Sequence, residues 1–343
     1  MLAQTQFNNN FHFLRLFAAL CITFTHSFAL LGLQKQEWLM ILTKNKIDFS
    51  FIGLCIFFSI SGYLITQSAI ASSSFINYLW KRFLRIQPLL IVVCFLSVFI
   101  VGPFFSVLLL QDYFTNTHTF SYFRNIMPIF GIQYHLPGVF TTNIGEASVN
   151  GSMWTLVVEE RLYVIVGLLF VLKNKMQKFY VILILLLNAI YFMHTVFFNS
   201  NLWHYLNGGH VFYSLIFLNA SYFYLHNFNF KNKSYAILCL IPILLFLVQK
   251  FKISESIQVL IIPFFVIAIA NIKAFTNDIH KYGDYTYGIY IFSFPIQQII
   301  ISLNLANTAV QLFFLTLLAV IPLSILSWHF IEKKMLRLKN IIL

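Results

Sequence analysis

Charge is what this chain has least of. Only 9% of its 343 residues are charged and only 10 are acidic, where an ordinary soluble domain carries roughly 25% charged residues. No hydrophilic stretch is long enough to make a separate soluble domain of about 100 residues, so residues 1–343 read as a single membrane domain. Cysteine is scarce as well. Cys21, Cys55, Cys94 and Cys239 sit inside apolar segments, with neither the paired spacing of a zinc site nor that of a disulfide framework, and read as small hydrophobes. The N-terminal stretch lacks a basic n-region and no small-residue cleavage site follows the first apolar run. A removable signal peptide is therefore not expected, and the first helix should stay as an anchor. Internal repeats and low-complexity tracts are also missing.

What is present is apolar surface. Hydrophobic residues make up 59% of the chain and mean hydropathy is +0.81, which places it in lipid rather than water. Backbone polar groups in lipid must be satisfied within the spanning segment, so long apolar runs imply an all-α, polytopic integral membrane helical bundle. At about 20 residues per span, helices are expected near 13–34, 49–70, 86–110, 152–172, 179–199, 209–226, 234–250, 257–273, 285–303 and 308–331, about ten in all. The net charge of +12 sits in short clusters between these runs. That pattern reports topology, not nucleic-acid binding. The even-numbered connections and the C-terminus hold 14 lysines and arginines and the odd-numbered ones six. Both termini are thus expected on the cytoplasmic side, with the 111–151 loop, carrying His118, His135 and Glu146, outside.

Against this background, ionisable groups inside spans stand out, because one at mid-bilayer costs at least about 2.5–3.5 kcal/mol and so faces a cavity or a partner. Arg15 and His26 lie in the first helix. At 100° per residue their separation returns to within about 20° of one face, with a rise of about 16 Å. One stripe therefore carries a cation near the cytoplasmic edge and an imidazole deep in the membrane. Equally, Arg15 can snorkel to the headgroups and His26 can bond a neighbouring helix. The segment KRFLRIQP sets Arg82 and Arg85 at i and i+3 beside Lys81. Two guanidiniums on one face suit a phosphate, although the cluster is also an ordinary positive-inside signal. FFSISGY supplies Ser59, Ser61 and Gly62 for close helix approach.

The stretch GSMWTLVVEERLYVI, Gly151 to Ile165, places Glu159, Glu160 and Arg161 inside an apolar helix. Glu159 falls about 12 Å from the outer surface and His26 about 20 Å from the inner one; across a core about 30 Å thick these are similar depths. A carboxylate beside an imidazole suits an orienter and a general base. The alternative is a structural ion pair of Glu159 or Glu160 with Arg161 or Arg15. Tyr163, one turn after Glu159, can donate to it. At the C-terminal end, SWHFIEKK places Glu332 beside lysines at the membrane edge, where a solvated cap is expected.

LRLFAALCITFTH, FFSISGYLI, the arginine pair, SMWTLVVE, GDYTYGIYIFSFP and FIEK occur together and in this order in the membrane acyltransferase-3 family, which the chain resembles over nearly its whole length. The family O-acylates carbohydrates. Two departures are Ser293, where many members have histidine, and Lys334, where many have proline. The first leaves intramembrane base duty to His26, and the second weakens any role for Glu332.

The resemblance implies transfer of an acyl group, most often acetyl, from cytoplasmic acyl-CoA to a hydroxyl of a surface or lipid-linked carbohydrate such as O-antigen or capsule. It implies a multi-pass protein of the bacterial inner membrane, with acetyl-CoA as co-substrate and no metal. His26, Glu159 and Arg15 would form the catalytic set, and Arg82, Arg85 and Lys81 would hold the CoA phosphates. Ser152, Trp154, Tyr163 and Tyr290 would face the sugar. Some members carry a further hydrolase-like domain; here eleven residues follow Glu332. A transporter or exporter of a lipid-linked sugar would also bury Arg, His and Glu, but would need no cytoplasmic arginine pair, and no paired broken helices are seen. His118, His135, His194, His204 and His210 match no metal-ligand spacing.

Overall fold

A computed structural model describes residues 9–171, 175–198, 208–228, 254–272 and 283–341. Among these the regular structure is helical, apart from one isolated backbone bridge between Ser106 and Val139. The long helices are α1 (Phe11–Ala29), α2 (Phe49–Ile70), α3 (Phe75–Leu96), α4 (Trp154–Val171), α5 (Lys175–Met193), α6 (Gly208–Leu225), α7 (Ser254–Asn271), α8 (Thr286–Ser302) and α9 (Ala309–Ser327). A wider turn at Ser97–Val101 carries α3 on to Phe105, and another at Trp328–Glu332 carries α9 on to Leu336.

Four stretches are long and apolar enough to cross a membrane: Phe11–Ala29, Phe49–Ile70, Phe75–Phe105 and Ala309–Lys339. The chain is a helical membrane protein. Five more expected spans coincide with α4 to α8, of 17 to 19 residues. The one expected at 234–250 lies outside the described residues. α3 begins at Phe75, where the Ser74 side chain accepts from the Asn77 amide, rather than near 86, so Lys81, Arg82 and Arg85 are already helical. That early start follows from the cap, which satisfies an orphan amide of the first turn.

The described residues form two compact units. The first takes residues from Met1–Ala18, Leu54–Ala71 and Leu168–Gly283. Its helices are stitched by polar side chains, the expected glue where lipid offers no hydrophobic drive to associate. Asn188 and Asn219 exchange amide hydrogen bonds at 2.9 and 3.0 Å, and Asn219 also donates to the Val259 carbonyl. The Ser221 hydroxyl meets Thr66 at 2.6 Å and accepts from Tyr180 at 2.9 Å. Gly62 touches the α6 backbone so closely that a Cβ there would fall 2.0 Å from the Phe217 carbonyl oxygen. FFSISGY is thus a packing motif at its glycine.

The second unit takes Ala19–Gly53, Ser72–Gly167 and Asp284–Leu343. Here α8 packs along α9, with Gly288 against Ser324. The Trp80 indole donates to the Leu338 carbonyl, tying the C-terminal helix to α3. The start of α2 is held by three side chains. Glu37 accepts from the Phe49 amide at 2.6 Å, Thr25 from Ser50 at 2.8 Å and Asp48 from Phe51 at 2.7 Å. Glu37 lies in the connection before α2 and is fully buried; burial raises its pKa, opposed by the Phe49 hydrogen bond.

A candidate active site along α8

The site is built on one helix. Tyr290, Phe294 and Gln297 follow each other at i, i+4 and i+7 on α8 and therefore share a face. Gln297 donates to the Thr23 carbonyl at 2.9 Å and to the Ser27 hydroxyl at 2.8 Å, while the Thr23 hydroxyl donates to Ser293 at 3.0 Å. These bonds fix α1 on both sides of His26. Ser293 thus serves as a link between helices.

His26 is half-buried, although its neighbours on the same stripe of α1, Ala19, Ile22 and Thr23, are closed off from solvent. The exposed side chains of α1, Phe13 and Phe17, lie on the opposite face. The surface that His26 keeps accordingly opens inward. Its Nδ1 is buried with no hydrogen-bond partner, and its ring meets the Phe294 ring edge to face, centroids 5.2 Å apart. Arg15 is half-buried on the same stripe.

The 143–150 segment is locked to α8 from the other side. Gln298 donates to the carbonyls of Glu146 and Ser148 and accepts from Asn143. Asn150 donates to the Ile291 carbonyl, and its side-chain oxygen caps the turn into α4 at Ser152. The Tyr290 hydroxyl donates to the Ser152 carbonyl at 2.5 Å and meets the Thr155 hydroxyl. Tyr290 and the Ser152 backbone therefore frame the site. The Ser148 and Ser152 hydroxyls are buried without a partner.

The two adjacent glutamates part company. Glu160 is buried and has both oxygens occupied, accepting from Gln87 at 2.5 Å and from the Ile129 amide at 2.8 Å. Arg161 is exposed, its Nε donating to the Ile129 carbonyl. Glu160 thus fastens α3 and the 128–130 turn to α4, and the expected alternative of its ion pair with Arg161 is replaced by these hydrogen bonds. Glu159 keeps partial exposure on a stripe whose other members, Thr155, Leu156, Leu162, Tyr163 and Val166, are buried. Glu159 and Arg82 both lie close enough to Tyr163 to act on it electrostatically. Glu159 likewise acts on Tyr290.

Of the expected residues, Glu159, Tyr163, Tyr290, Ser152 and Arg82 thus come together, and Phe294 links this frame to His26. The expected direct bond from Glu159 to the His26 Nδ1 is not formed, since that nitrogen has no partner. Trp154 is half-buried at the start of α4. Lys81 donates to Ser72 at 3.1 Å. Arg85 reaches two carboxylates, Asp284 at 2.6 Å and Glu332 at 3.4 Å. Glu332 is buried and also accepts from Ser327. The expectation of a solvated cap at Glu332 is therefore corrected: the wider turn at Trp328–Glu332 rotates the carboxylate inward, where Arg85 neutralises it.

Sequence reasoning passed over Asp284, Phe294 and Gln297. Asp284 and Phe294 stand within GDYTYGIYIFSFP, but nothing in that stretch marks one as an ion-pair partner and the other as a ring against an imidazole. Outside this region His135 sits 3.9 Å from Glu146, both exposed. Among the described residues no three His, Cys, Asp or Glu side chains gather as metal ligands; His204 lies outside those residues.

The chain is thus a helical membrane protein with a half-buried histidine, its Nδ1 unpartnered, on a helix hydrogen-bonded to α8. Residues 8–329 match the acyltransferase-3 family, described as an acyltransferase domain, and the chain belongs to that family. It is 30% identical over 347 aligned positions, 96% of each chain, to a protein of Shigella phage Sf6 named O-acetyl transferase. It is 34% identical over 168 positions, 47% of this chain and 44% of the other, to nodulation protein 10 of Rhizobium leguminosarum bv. viciae. No solved structure matches. The protein is an acyltransferase.

Proposed function

We propose that the protein moves an acetyl group from acetyl-CoA to a hydroxyl of a surface or lipid-linked carbohydrate, across a bacterial cytoplasmic membrane that it spans about ten times with both termini inside. The observation that carries this reading is His26, half-buried with Nδ1 unpartnered in a chain of the acyltransferase family. The phage relative's name supplies acetyl and oxygen as the group and the acceptor atom.

In this scheme His26 takes the proton of the acceptor hydroxyl as its oxygen attacks the thioester carbonyl. The carbon–sulfur bond breaks, CoA leaves as thiolate, and the imidazolium returns the proton to sulfur. Glu159, through Tyr163, sets the field around the reacting atoms. Arg82 and Lys81 hold the CoA phosphates by charge-assisted hydrogen bonds. Arg85 has a different share of the work: with Asp284 and Glu332 on it, it positions α3 so that Arg82 faces the donor. Trp154 offers a flat apolar face to a sugar ring.

The test is transfer of radiolabel from acetyl-CoA to extracted surface glycan by membranes holding wild type, His26→Ala or Arg82→Ala. Label on glycan with wild type alone, and partial recovery of Arg82→Ala at high acetyl-CoA, supports the scheme. Transfer by His26→Ala at the wild-type rate overturns it.

A further inference from the structure

The Phe294 ring makes two close approaches, one to the proposed base and one to the turn that leads into α4. On one side is the His26 imidazole, in edge-to-face contact. On the other is Gly151: a Cβ at that position would lie 2.7 Å from two carbons of the Phe294 ring and 3.3 Å from the Ser148 hydroxyl. The ring thus occupies the room that a glycine leaves, and any larger residue at 151 would collide with it. Beside Gly151 are two buried hydroxyls without partners, Ser148 and, next in the chain, Ser152. Orphaned hydroxyls in such a place are costly unless a ligand or water completes them.

We propose that Phe294 is a gate between His26 and an acceptor subsite in which the Ser148 and Ser152 hydroxyls receive sugar hydroxyl groups. This rests on the acetyl-transfer reading above. With the ring in its present place, water from the acceptor side is kept off the imidazole while the thioester is bound. A sugar hydroxyl seated against the two serines displaces the ring and reaches His26. Water entering instead would be deprotonated by His26, add to the thioester carbonyl and release acetate and CoA thiol. The gate is therefore a device for partition: it favours transfer over hydrolysis without touching the group transferred.

The test uses the full-length protein purified in detergent, with acetyl-CoA alone and no carbohydrate, and follows release of CoA thiol. Phe294→Ala is expected to raise this acceptor-independent hydrolysis by about tenfold as water gains the site, and Phe294→Leu to raise it far less because a bulky apolar side chain remains. In whole cells Phe294→Ala should place less label on surface glycan than wild type. Hydrolysis by Phe294→Ala and Phe294→Leu at the wild-type rate, with label still transferred to glycan by cells, would remove the gate and leave the acetyltransferase standing. Wild-type protein that neither releases thiol nor labels glycan would sink both. Ser148→Ala supplies an independent readout: a raised KM for glycan extracted from the expressing cells. An unchanged KM overturns the acceptor subsite.

Discussion

Arg85 reaches Asp284 at 2.6 Å, and that contact joins the middle of α3 to the turn that opens α8. The pair is largely shielded, with side-chain exposures of 18% and 10%, and Glu332 completes it at 3.4 Å. Removing one member of such a cluster strands the opposite charge in a poorly solvated place. Arg85→Ala should cost about 3 kcal/mol of stability, the low end for breaking a buried pair because this one keeps some solvent contact. Arg85→Met with Asp284→Asn and Glu332→Gln should recover most of it. Unfolding in detergent measures both, and a triple variant no more stable than Arg85→Ala would contradict the account.

Arg82 lies one turn from Arg85 and has a different environment, close to Tyr163 on the inward stripe of α4. Its removal should raise the KM for acetyl-CoA about tenfold, as for loss of a charge-assisted contact to phosphate, while Tm stays near wild type. A fall in Tm matching that of Arg85→Ala, with KM unchanged, would make the two arginines structural alike.

Glu160 accepts with both oxygens, from Gln87 and from the Ile129 amide. Glu160→Ala leaves both donors, the Gln87 side-chain amide and the Ile129 N–H, without their acceptor. The expected cost is about 1–3 kcal/mol, that of a buried polar group left unsatisfied. A melting curve resolves it, and the activity of the folded fraction should persist, since neither oxygen faces the site.

Glu37 gives the protein a pH dependence outside the membrane. Burial raises its pKa in the folded state, so the folded protein holds this proton more tightly than the unfolded chain. Its contribution is fully present below the unfolded carboxyl range and is lost as pH rises through the folded value. Glu37→Gln keeps an oxygen for the Phe49 amide and removes the charge. Stability of the variant should fall less than that of wild type as pH rises from 4 to 8, a window set by the direction of the shift. Parallel curves would assign the pH dependence elsewhere.

Much of the membrane architecture was legible because its cause is local. Apolar runs specify helices wherever they occur, and a stripe such as Arg15, Ala19, Ile22 and His26 follows from helix geometry alone. The site was legible only as far as residue type carries a cost: His26, Glu159 and Arg85 are conspicuous in lipid, and each was found. Partners were not. Glu159 and Glu160 are identical in kind, and which one would be tied by Gln87 depends on where α3 passes. Asp284 becomes a partner of Arg85, and Glu332 leaves the solvent, only once α3, α8 and the C-terminal turn converge. Phe294 carried no signal at all, since one phenylalanine among 41 differs from the rest only by having an imidazole at its edge.

The Glu159–Tyr163 pair separates two ways in which a carboxylate can serve His26. Direct orientation would make Glu159 matter with or without the tyrosine, because the carboxylate would fix the imidazole tautomer itself. Here Glu159 acts electrostatically on Tyr163 and the imidazole Nδ1 has no partner, so the two are expected to act on the reaction as one unit. His26→Ala should lower kcat by about 10²–10⁴-fold, the range for removal of a general base. Glu159→Gln and Tyr163→Phe should each lower kcat by a smaller factor, and the double variant by no more than the larger single effect, the signature of residues in one network. Label transfer from acetyl-CoA to glycan at saturating donor gives all four values. Multiplying single effects would show that Glu159 reaches the reaction without Tyr163, and would restore the direct pairing with His26.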